Sequence, residues 1–299
     1  MRSIVAVVAL FFGAIVAAAQ GPLDQMKIPV FYAIPGMDAV RVERELVFKT
    51  AGDTSLKADI YLPAARGTYP VILLVSGGSV NDWRTSAFYI SFARVLAAEG
   101  LAAVNFDKRL ARDRKAVPTA SEDMLALVDY LTTNATKYGL DISRLCAWHF
   151  SAGGTLAGTT LGEKSPAACV VLTYAILSFG EGDKDPQLAP HAALVQVRER
   201  GDKMPPTLVV RAGRDAKALN DSIDAFVSAA LAKNAPVSLI NYPAGDHGFE
   251  ILNNTDETRR VIAQSIAWVK ARVGRVGRVG RVGRVGQVGC PLALRQELQ

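Results

Sequence analysis

The spacing of hydrophobic and polar positions changes period repeatedly along this chain. Residues 40–49 and 55–62 read as two strands, and Ala51-Gly52-Asp53-Thr54 between them reads as a hairpin turn. The run YPVILLV over 69–75 is continuously apolar, as expected for a strand buried on both faces. Residues 86–99 have helical spacing and stop at Gly100, a residue suited to a helix C-terminus. A strand follows over 101–106. A long helix is predicted over 119–137, opened by Pro118 and Thr119 and closed near Gly139. Strands over 145–150 and 168–174 flank a helix over 152–164 that is rich in small residues. Strand 207–212, helix 216–233, strand 237–242 and helix 255–272 complete the alternation.

Two antiparallel strands followed by repeated strand–helix pairs predict an α/β fold. Its central sheet is mostly parallel, has helices on both faces and carries an N-terminal antiparallel hairpin. Such sheets hold ligands beyond the carboxyl ends of their strands, so candidate chemistry is sought in the loops there. Residues 177–204 show little periodicity and contain Pro186 and Pro190, with Pro205 and Pro206 just beyond. This long excursion is expected to lie over the carboxyl edge and, with loop 79–90, to shape a substrate pocket.

The two ends of the chain read differently. Arg2, the apolar run 4–16 and Ala17-Ala18-Ala19 form the pattern of a secretory leader, with cleavage expected after Ala19. An uncleaved anchor is the competing reading, although the run is short for a span of about 20 residues. No other segment is apolar enough to span a membrane, so an exported protein, periplasmic or extracellular, is expected. Residues 273–289 repeat Val-Gly-Arg, and a Gly at every third position weakens a helix by about 1 kcal/mol each. A disordered basic tail over 273–299 is therefore expected after a domain spanning 20–272.

Half of the 299 residues are hydrophobic and 21% are charged, which excludes global disorder and supplies a large core. The net charge of +6 does not imply a nucleic-acid partner. Residues 271–299 carry six Arg against one Glu and Arg2 lies in the leader, which leaves 20–270 neutral. The three cysteines do not form a disulfide framework. Cys146 and Cys169 are expected as buried thiols within strand-like runs, and Cys290 lies in the tail.

Strand 145–150 runs into His149-Phe150-Ser151-Ala152-Gly153-Gly154. A sharp strand-to-helix turn there would lift the Ser151 side chain above the sheet, and small residues are needed for the turn to close. The string resembles the nucleophile elbow, G-x-S-x-G, of the α/β-hydrolase family, with His149 in place of the first Gly. A serine hydroxyl needs a base. His247 follows the last strand in Ala-Gly-Asp-His-Gly-Phe, where that family carries its base, whereas His149 reads as structural. Asp215, after strand 207–212, completes the family order Ser151, Asp215, His247. Asp246 is the competing acid, but adjacent loop residues rarely aim their tips at each other. The resemblance places an oxyanion hole at the backbone N–H of Ala152 and at that of Gly78, or second Ser79. These last two lie in Ser76-Gly77-Gly78-Ser79, which resembles the HGGG string of esterases with Ser76 in place of His.

The stretches LDISRLCAWHFSAGG, PPTLVVRAGRD and PAGDHGFE extend the likeness over most of 40–270, towards the esterase and dienelactone-hydrolase-like branch. Dienelactone hydrolases use a Cys nucleophile where this chain has Ser151. The resemblance implies a serine hydrolase acting on a small-molecule carboxylic ester, with no cofactor and no metal. No phosphate-binding Gly-rich string or H-E-x-x-H is present. An exported peptidase on the same scaffold and a non-catalytic binding protein with this fold remain alternatives, and the oligomeric state is open.

Overall fold

A computed structural model describes residues 22–77, 83–109 and 114–274. The expected leader, nearly all of the expected tail, and Gly78 and Ser79 fall outside the described residues.

The strands are β1 (Arg41–Ala51), β2 (Thr54–Leu62), β3 (Tyr69–Val75), β4 (Ala102–Phe106), β5 (Leu140–Phe150), β6 (Cys169–Thr173), β7 (Thr207–Ala212) and β8 (Val237–Tyr242). They form one 8-stranded sheet in the order β1-β2-β4-β3-β5-β6-β7-β8. Pairs β1/β2 and β2/β4 are antiparallel, and all the other pairs are parallel. The order doubles back at β3, with β4 on one side and β5 on the other. The crevice between the carboxyl ends of β3 and β5 is therefore a topological switch point, where open α/β sheets bind ligands.

Alternate residues of the buried strands feed two apolar layers. Ile72, Leu74, Trp148, Phe150 and Val171 pack with helices α1 (Ala87–Ala98) and α6 (Asp256–Val273) on one face. On the other face Val71, Leu73 and Val75 meet α2 (Val117–Thr133). Val170, Leu172 and Val209 meet α3 (Ala157–Leu161), α4 (Ala193–Arg200) and α5 (Lys217–Ala232). A continuous apolar run such as 69–75 is what a strand covered on both faces requires. α1 begins where the Ser86 hydroxyl accepts the Tyr89 N–H, and α6 where the Thr255 hydroxyl accepts the Thr258 N–H.

Three features differ from the sequence reading. Cys146 and Cys169 are a disulfide rather than separate thiols, because the β5/β6 register sets them opposite each other with 4.6 Å between Cα atoms. The excursion 177–204 is not an aperiodic loop. It folds into short turns and α4, and Leu194 and Val197 are buried beside Ala157 and Leu161. Turns this short never repeat one period, which is why the pattern hid them. The last helix also extends to Val273, whose side chain is buried and whose carbonyl accepts from Arg144.

Candidate active site

β5 delivers Ser151 to the switch point in a conformation that few side chains adopt. Its φ is 51°, in the left-handed region, and a 3-10 turn over Ser151–Leu156 leads from it into α3. Strain of this kind persists only where the surroundings over-determine it. Here the Ser151 carbonyl accepts the Ile176 N–H at 2.9 Å, and the neighbouring glycines leave no room for a shift. A Cβ on Gly153 would strike the Val75 carbonyl, and one on Gly154 would lie 2.7 Å from the Ala175 Cβ and the Ile176 nitrogen. A Cβ on Gly77 would lie 2.7 Å from the Ser151 Cβ and 3.1 Å from the Ala152 nitrogen. The β3 exit and the elbow are thus in backbone contact.

His149, at the first elbow position, is fully buried and braces the turn from beneath. Its Nδ1 lies 2.9 Å from the Gly153 carbonyl and its Nε2 2.9 Å from the Thr160 hydroxyl. Burial pushes its pKa from 6.5 down to about 4. The neutral ring therefore donates from Nδ1 to the carbonyl, which can only accept, and Nε2 accepts from Thr160. The side chain supplies a bridge where the family motif has a glycine.

The sequence-predicted Ser151, His247 and Asp215 come together. Ser151 Oγ lies 2.8 Å from His247 Nε2, and His247 Nδ1 lies 2.7 Å from Asp215 Oδ2. A carboxylate only accepts, so Nδ1 carries the proton and Nε2 presents its lone pair to the serine hydroxyl. The Asp215 side chain is 1% exposed and that of His247 23%. The other carboxylate oxygen of Asp215 accepts the Ala216 N–H at 2.7 Å. The two loops are tied by backbone bonds from Arg214 to Gly245 at 2.9 Å and from Gly213 to Tyr242 at 2.8 Å. Asp246 is turned away: its N–H donates to Asn253 Oδ1 at 2.9 Å, and its carboxylate accepts from Asn253 Nδ2 at 2.7 Å. It braces the loop that carries His247.

Four residues at the site were not singled out by the sequence. The Tyr174 ring centroid lies 4.7 Å from that of His247, and Tyr174 has a left-handed φ of 36°. Its hydroxyl donates to Glu250 Oε2 at 2.7 Å. Glu250 is buried, and desolvation pushes its carboxyl from 4.5 up to about 7. Lys108, just beyond β4, donates to the Ser76 carbonyl and hydroxyl, each at 2.8 Å. The Tyr89 hydroxyl accepts the Gly77 N–H at 3.2 Å. The available signal was position: Lys108 follows a buried strand at the carboxyl edge, and Glu250 lies three residues after His247. Ala152 lies in the first turn after Ser151.

The BD-FAE family model matches residues 58–168, which include β3, the elbow and Ser151. Among solved structures, the native form of esterase 2 from Thermogutta terrifontis is similar, with a TM-score of 0.64 and 19% identity. That match covers 82% of this chain and 96% of the esterase. The form of that esterase phosphorylated by paraoxon matches at a TM-score of 0.63 and 18% identity, over 80% of this chain and 95% of that one. A bifunctional GH43-CE protein of Bacteroides eggerthii matches at 0.64 and 22% identity, over 78% of this chain and 35% of that one. Among curated proteins none matches the chain.

Proposed function

We propose that this chain, whose fold is that of the α/β-hydrolases, is an exported serine hydrolase that cleaves small carboxylic esters through an acyl-enzyme on Ser151. The observation that carries the reading is the chain of short hydrogen bonds Asp215–His247–Ser151, ending on a serine held at left-handed φ above the switch point. The Ser151 Oγ attacks the ester carbonyl while His247 Nε2 takes its proton. Asp215 holds the imidazole in the tautomer that can accept, and its charge stabilises the imidazolium. The tetrahedral oxyanion is held by the Ala152 N–H and by an N–H from the chain beyond Gly77, with Gly78 first and Ser79 second. His247 returns the proton to the leaving alcohol, and the cycle repeats with water as the nucleophile.

The leader-like pattern over 1–19 supports export, and so does the Cys146–Cys169 disulfide, since such bonds persist in oxidising compartments. Among the described residues no helix is long and apolar enough to cross a membrane. The expected result is rapid hydrolysis of short-chain nitrophenyl esters and labelling by a fluorophosphonate. Ser151→Ala should abolish labelling and lower kcat by roughly 10⁴–10⁶. Equal ester rates for the two proteins would overturn the mechanism, and faster cleavage of a matched anilide would redirect it to peptides.

A further inference from the structure

The Ser76–Gly77 peptide unit is pinned at both of its polar atoms by side chains distant in sequence. Lys108 Nζ donates to its carbonyl oxygen at 2.8 Å, and the Tyr89 hydroxyl accepts its N–H at 3.2 Å. The same ammonium also donates to the Ser76 hydroxyl at 2.8 Å, so side chain and main chain of Ser76 are gripped together. A peptide held from opposite edges cannot rotate about its long axis without breaking both bonds. This one lies against the reacting serine, since a Cβ on Gly77 would lie 2.7 Å from the Ser151 Cβ and 3.1 Å from the Ala152 nitrogen. On its carbonyl side, a Cβ on Gly153 would lie 3.0 Å from the Ser76 oxygen. The orientation of this peptide therefore sets the wall that faces Ser151 and the Ala152 N–H.

We propose that Lys108 and Tyr89 are positioning residues, which fix the Ser76–Gly77 peptide so that the wall of the oxyanion pocket keeps its distance from Ser151. The inference rests on the serine hydrolase reading. It also accounts for Ser76 at the place where the related esterase string has His: a short hydroxyl there leaves room for the Lys108 ammonium to reach the main chain. Burial lowers the Lys108 pKa to about 8, and Asp107 beside it opposes the shift. The group is thus mainly cationic at neutral pH, and both bonds to Ser76 are charge-assisted. Tyr89 is itself fixed, buried between Phe88, Trp83 and Phe150. Neither residue needs to touch substrate. Each acts through the backbone, so its loss should weaken binding of the tetrahedral state more than binding of the ester.

The test compares Lys108→Met, Lys108→Arg and Tyr89→Phe with wild type. The readouts are kcat and KM on a nitrophenyl ester and affinity for phenylboronic acid, whose Ser151 adduct carries a tetrahedral oxyanion. Lys108→Met should lower kcat roughly 10–100-fold with KM within about twofold, and should lose boronate affinity in parallel. Lys108→Arg, which keeps a cationic donor, should recover part of the loss, and Tyr89→Phe should cost roughly 3–10-fold. Wild-type kcat and boronate affinity in folded Lys108→Met and Tyr89→Phe would overturn the clamp while leaving the serine hydrolase intact. If Lys108→Met does not fold, Tyr89→Phe still decides between these results. A wild-type protein inert to both ester and fluorophosphonate would overturn the hydrolase reading itself, and the clamp with it.

Discussion

Ser151 and His247 face each other across 2.8 Å, yet each is held by a different kind of structure. On the serine flank, backbone packs on backbone. Gly77, Gly153 and Gly154 bring β3, the elbow and the 175–176 segment together so closely that no Cβ fits. His149 closes the turn from below as a buried neutral ring. On the histidine flank, backbone bonds tie the two loops, but side chains hold the imidazole. Asp215 binds Nδ1, Tyr174 lies against the ring, Glu250 accepts from Tyr174, and Asp246 with Asn253 braces the loop. The first arrangement needs small residues at fixed places in two short strings, and so leaves sequence motifs. The second gathers residues from the segments just beyond β6, β7 and β8, which no short motif can encode.

The largest expected effect tests which carboxylate serves the histidine flank. Asp215→Asn keeps the size but loses the charge that selects the tautomer, and should lower kcat on the order of 10⁴ near neutral pH. Asp246→Asn should cost less than about tenfold, since its contacts are with Asn253. Steady-state kinetics on folded variants reads the contrast, and the reverse order would transfer the acid to Asp246.

Next in size are two opposite pH dependences of stability. His149 binds its proton less readily in the fold (about 4) than its ordinary value of 6.5. Stability should therefore fall as pH drops from 6.5 through about 4, by about 3 kcal/mol in total. Glu250 holds its proton more readily in the fold (about 7) than its ordinary 4.5. Its contribution has the other sign: stability should fall as pH rises from 4.5 through about 7, also by about 3 kcal/mol. Urea unfolding across this range should lose the acid-side slope in His149→Gln and the neutral-side slope in Glu250→Gln. Unchanged slopes would show that these groups ionise alike in the folded and unfolded states.

A smaller contrast lies in the glycines. Gly153→Ala places a methyl group against the Val75 carbonyl and should cost about 1–3 kcal/mol, with loss of ester hydrolysis. Gly248, beside His247, has a φ of +78° and no atom closer than 3.8 Å to an added Cβ. Gly248→Ala should cost only the strain of a left-handed residue, roughly 1–2 kcal/mol. Thermal melts and kcat would show space limiting one flank and dihedral angle the other.

The smallest effect is expected at the C-terminus. Removing residues 275–299 should leave the melting temperature and kcat unchanged, because the last helix, with buried Val273, stays intact. A cut after Arg272 would instead remove the carbonyl that accepts from Arg144.

The alternation of strand and helix, the two-faced burial of 69–75 and the elbow at Ser151 were legible in the sequence by itself, because each depends on residues close together in the chain. Strand ends came within a few residues, apart from β5, which begins at Leu140 rather than 145. The candidates Ser151, Asp215 and His247 could be named in order because each follows a strand of a sheet whose carboxyl edge is shared. Only the tertiary structure decided that Asp215 rather than Asp246 meets His247, that Cys146 pairs with Cys169, and that 177–204 is helical. It alone brought Lys108 and Tyr89 to one peptide, and Tyr174 and Glu250 behind the imidazole. Periodicity reports which face of an element is buried, whereas these pairings depend on sheet order, register and the direction of single side chains.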